Sequence, residues 1–64
     1  MASLADIPLS VLHNDRAASL MDIKTVQKLQ TDTIYGMSAD EFIRQNKHII
    51  EIIDAELARR GETP

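Results

Sequence analysis

Between Ser38 and Gly61 the apolar positions fall at Phe42, Ile43, Ile49, Ile50, Ile53 and Leu57, with charged residues filling most of the gaps. At about 100° per residue these side chains, with Asn46 among them, share one arc of roughly 120°, which predicts an amphipathic helix with one apolar stripe. Both ends are marked. Ser38 followed by Glu41 is a capping box, in which the serine oxygen accepts from the amide three residues on and the glutamate reaches back. Asp40 and Glu41 put negative charge in the first turn, Arg59 and Arg60 put positive charge in the last, and Gly61 supplies a left-handed stop. The helix is expected over residues 38–60. Asp40 with Arg44 and Glu56 with Arg60 stand in the acid-first, four-apart order of solvated-face pairs. Ile52 falls outside the stripe and is free for a second contact.

Upstream the pattern weakens. Asp22 to Tyr35 opens on an acceptable N-cap and ends at Gly36, with Ile23, Val26, Leu29 and Ile34 as its apolar positions, and reads as a second helix. Its end, Thr31 to Tyr35, is rich in β-branched residues that lower helix propensity and suit an extended chain. Only Gly36, Met37 and Ser38 then remain as a link, which makes the two helices neighbours, antiparallel or at a sharp angle. Pro8 suits a first helical turn, and Leu9, Leu12, Ala17, Leu20 and Met21 form a loose apolar side. Asn14-Asp15 interrupts that side with residues that compete for backbone hydrogen bonds, so the expectation is a short helix plus a turn. Residues 1–6 and 62–64 are expected to be flexible tails of one small helical domain spanning 1–64.

The fold expected is all-α, with two or three helices and the long C-terminal one packed in a helical hairpin or small bundle. Length then sharpens the picture: chains below roughly 70 to 80 residues usually need a staple, and this one has 64 residues and no cysteine. No disulfide can form and no thiolate is available for a structural zinc. Association is the staple left, with a second copy or with another protein. The expected contact surface is the stripe itself: Phe42, Ile43, Asn46, Ile49, Ile50, Ile53 and Leu57. Asn46 has two readings, a polar partner across an interface that fixes register, or a side chain satisfied by backbone within its own subunit.

The net charge of −3, spread along the chain, gives no electrostatic footprint for nucleic acid. No run of about 18 apolar residues suggests a membrane span, and the first residues lack the basic and apolar regions of a signal peptide, so a cytoplasmic location is expected. Neither cofactor, metal nor small-molecule substrate is indicated: His48 and Glu51 stand three apart, His13 is the other histidine, and two ligands do not make a site. With two glycines there is no phosphate loop, and no nucleophile and base pair can be assembled. The function expected is non-enzymatic, a regulatory or structural subunit acting through a helix face.

An alternative is a small DNA-binding regulator. The Gly36-Met37-Ser38 link followed by Phe42 has the spacing of a helix-turn-helix corner, yet Asp32 stands where a small residue packs and Gln45 where an aliphatic one is expected. Asp40 and Glu41 would also present negative charge to phosphates. The run Ile49-Ile50-Glu51-Ile52-Ile53-Asp54-Ala55-Glu56-Leu57 resembles the first helix of chorismate-mutase-type helical enzymes, over under a fifth of the chain. That resemblance implies a helical enzyme fragment, but the basic side chains of such a site are not arranged here.

Overall fold

In the computed structural model, which describes residues 3–62, two long antiparallel helices are joined by a minimal β-hairpin. Helix α1 runs Leu9–Leu29, strands β1 and β2 are Thr33–Ile34 and Met37–Ser38, and helix α2 runs Ala39–Arg59; a 3-10 turn, Leu4–Asp6, precedes them. The arrangement is mainly helical and hairpin-like. It measures 37 × 25 × 15 Å, and its radius of gyration of 13.2 Å exceeds the roughly 11 Å of a globular chain this long. Two helices side by side therefore leave both broad faces of the layer open.

Helix α2 forms where its pattern places it. Ser38 Oγ accepts from the Glu41 amide at 3.1 Å, and the residue itself is extended, as an N-cap should be. Only half the capping box is built, for the Glu41 carboxylate makes no hydrogen bond or ion pair among the described residues. At the other end Gly61 sits at φ +79°, its amide bonds Ala58 O at 3.0 Å and the Glu62 amide bonds Leu57 O at 2.8 Å. That is the double closure of a Schellman stop.

The N-terminal half differs from expectation in two ways. Residues 9–21 and 22–29 form one uninterrupted helix, so Asp22 lies mid-helix and exposed instead of capping a new one. Asn14 and Asp15 are exposed, while Leu12, Ser19, Ile23 and Val26 continue one buried line past them. Polar residues on the wet side cost a helix little, and the buried line decides. Second, α1 ends at Leu29 and residues 31–38 are not helical. Thr33 and Ile34 pair with Ser38 and Met37 across the two-residue loop Tyr35-Gly36, whose φ values are +50° and +77°. Positive φ at both central positions is the mark of a type I′ turn, which suits the twist of a tight hairpin. The Ala39 amide closes the link onto Asp32 O at 2.8 Å. This hairpin stands where a helix-turn-helix corner was the alternative, so that corner is absent.

Gln30 ends α1 in the left-handed region, at φ +54°. A side chain there costs about 1 to 2 kcal/mol, partly offset by the extra chain freedom glycine brings to the unfolded state. Gln30→Gly is expected to stabilise by about 0.5 to 1 kcal/mol and to raise the thermal midpoint by a few degrees; a lower midpoint would show that Gln30 holds the helix end by its side chain.

The core sits at the open end of the hairpin. Leu12, Ile53 and Leu57 form its buried cluster, with Leu4 and Ile7 packed over them. Residues 3–7 are thus held in place, unlike the tail expected there; residues 1–2 and 63–64 lie outside the described part of the chain. Arg60 does the holding. Its guanidinium donates to Leu4 O at 2.7 Å, Ile7 O at 2.8 Å and Ala5 O at 3.4 Å, while its Nε meets Glu56 Oε2 at 2.6 Å. Glu56, read from sequence as half of a solvated pair, is buried and also takes two bonds from Arg59. Further along, Arg16 clamps Asp54 across the helices through Nε at 2.6 Å and a second contact at 3.4 Å.

Hydrogen bonds from Arg59 and Arg60 lower the Glu56 pKa from 4.5 to about 2. Since the folded value lies below the unfolded one, the ionised group stabilises the fold above pH 4.5, and that contribution fades as pH falls toward 2. Thermal midpoints measured across this window should fall more steeply in the parent than in Glu56→Gln. Parallel slopes would place the acid sensitivity elsewhere.

Candidate interaction surface

The seven stripe positions divide. Asn46, Ile53 and Leu57 are buried, Phe42, Ile43 and Ile50 are half-buried, and Ile49 remains 43% exposed. Most of the stripe is therefore the hairpin's own inner seam, turned toward α1. Asn46 follows the backbone reading: its Nδ2 donates to Phe42 O at 2.9 Å, one turn back in the same helix. That bond satisfies one of its two amide hydrogens within its own subunit.

What stays open is the flank. Ile52, at 39% exposed, lies one turn from Ile49, and with the half-buried Phe42, the exposed Gln45 and Arg59 and the buried Glu56 they follow a 3,4,3,4,3 spacing. On the wheel this second line lies about a quarter turn from the inner seam. Three of its six positions, Phe42, Ile49 and Ile52, are apolar, so α2 carries a second, shorter apolar strip beside the seam that faces α1. Of the stripe residues expected at a contact, Phe42 and Ile49 belong to this outer line as well.

Large apolar side chains elsewhere are also wet. Leu9, Val11, Leu20, Met21 and Leu29 on α1 are exposed, and Tyr35 at the hairpin tip is 86% exposed, its ring tilted against Phe42 at a centroid distance of 6.1 Å. With Ile49 and Ile52 these eight outnumber the six buried apolar residues, one of which is Ala39. Sequence reading placed Leu9, Leu20 and Met21 on a loose apolar side and Leu29 among the apolar positions of a second helix, and left Val11 unassigned; their scatter around the helix was the available signal. Tyr35 was hidden by the expectation of helix up to Gly36.

No pocket is present among the described residues, and no three of their His, Asp or Glu side chains gather as metal ligands. His48 Nδ1 lies 3.8 Å from Glu51 Oε2, with both side chains over two-thirds exposed, a loose contact on a wet face. No described helix is long and apolar enough to cross a membrane. Neither family models, nor curated proteins, nor solved structures give a match to this chain.

Proposed function

We propose that the chain is a non-enzymatic association module, a regulatory or structural subunit that binds protein through the outer line of α2. The observation that carries this reading is the exposure of Ile49 and Ile52 on a helix whose inner apolar positions are already engaged with α1. Fully burying an isoleucine is worth about 1.5 to 3 kcal/mol, and with roughly two-fifths of each still wet, covering this pair gains on the order of 1 kcal/mol apiece. The exposed Gln45 and Arg59, toward the two ends of the line, supply a polar rim. Regulation or scaffolding by helix-face contact needs nothing else from the chain.

A photo-crosslinking side chain placed at position 49 or 52, in the cells that make the protein, is expected to yield one defined protein adduct. The same group at Ala17, on the outer side of α1, is expected to yield none. Equal labelling from all three positions, or none from any, contradicts the reading.

A further inference from the structure

We infer that the outer line of α2 is covered by the α2 of a second copy, running antiparallel; this rests on the association reading above and names its partner. Packing along a 3,4 line places the first position of one repeat opposite the second position of the other when helices run antiparallel. Centred between Ile49 and Ile52, that rule sets Ile49 against the partner's Ile52 and Phe42 against the partner's Arg59, while Gln45 comes level with the partner's Glu56, which is buried within its own subunit. Two-fold symmetry makes each contact twice.

Charge decides the direction. The acidic first turn of α2, Asp40 and Glu41, comes level with the partner's basic last turn, Arg59 and Arg60, and the helix dipoles oppose. On the wheel Glu41 and Arg59 share the same edge of the line, so they meet across the pair. Both are available. The Glu41 carboxylate has no partner among the described residues, and the Arg59 side chain is 60% exposed with three of its five donors unused after its two bonds to Glu56. In a parallel pair the two would lie at opposite ends of the helices, about 27 Å apart along the axis, and could not meet.

The chain exposes 4737 Å², against about 4,100 Å² for a compact monomer of its mass, so it presents more surface than its size requires.

Sedimentation equilibrium of the purified full chain is expected to show monomer and dimer in exchange. Glu41→Arg and Arg59→Glu should each raise the dissociation constant roughly tenfold, and the double variant should return close to the parent. Because Arg59→Glu also disturbs Glu56, direction is read separately from a spin label on Asp40→Cys, placed about 30 Å from its copy in the antiparallel pair and far closer in a parallel one. The restored double variant with the long distance supports the inference. A chain monomeric at every concentration overturns it, as does a short label distance. If positions 49 and 52 then crosslink to a different protein, the association reading stands and only the second copy falls.

Discussion

Leu57→Ala is expected to unfold the isolated chain at room temperature. Leu57 is fully buried, at 0% exposure, and belongs to the cluster with Leu12 and Ile53 that Leu4 and Ile7 cover. Truncating such a leucine costs about 2 to 5 kcal/mol, lost burial plus the cavity left behind. A core in a chain this short rarely supplies more than about 3 to 5 kcal/mol, so the loss is comparable to the whole stability. The far-ultraviolet circular dichroism of Leu57→Ala should show most of the helix signal gone. Ile52→Ala, which trims an exposed side chain, should leave the signal intact. A Leu57→Ala chain with parental helicity and an unchanged urea midpoint would show that the core lies elsewhere.

The second large effect belongs to Arg60→Ala. Three backbone carbonyls of residues 4–7 and the Glu56 carboxylate converge on that one guanidinium. Hydrogen bonds to charged groups are worth about 1.5 to 3 kcal/mol apiece when buried; with water able to replace part of this set, the net loss is set at about 2 kcal/mol. The Asp6 and Ile7 amides, bonded to Ser3 O and Leu4 O in the 3-10 turn, should then exchange with solvent far faster, while amides in the middle of α2 slow or quicken only with global stability. Arg60→Lys should recover less than half of the protection, since an ammonium cannot serve the fork of acceptors. Unchanged exchange at Asp6 and Ile7 would mean that Leu4 and Ile7 hold the segment by packing alone.

How much of this was legible follows from where the chain states its structure locally. Helix α2 carries cap, stripe and stop in adjacent residues, and each was readable. Helix α1 states its helix only through contacts: Leu12, Ser19, Ile23 and Val26 line up once α2 is opposite them, and nothing nearby overrides the local message of Asn14-Asp15. The β-hairpin was half legible, for the β-branched run at Thr31, Thr33 and Ile34 favours extension, but the turn uses Tyr35 where asparagine or aspartate would have announced it. Glu56 and Arg60 have the spacing of a surface pair, and only the arrival of residues 4–7, more than fifty positions away in sequence, makes that pair interior. The same reason divides the stripe. A helical wheel finds the stripe, but which part of it is used up inside the subunit depends on what α1 covers. Ile52, outside the stripe and free for a second contact, was the clue to the flank.

The claim that α2 serves two neighbours, α1 and a second copy, meets its most direct test in the thermal midpoint as a function of concentration. Over about a hundredfold range the parent midpoint should rise by roughly 10 °C, because a dimer gains stability by mass action. In Ile49→Ser with Ile52→Ser it should be lower and independent of concentration. A parent chain that melts cooperatively at one temperature throughout that range would contradict the account.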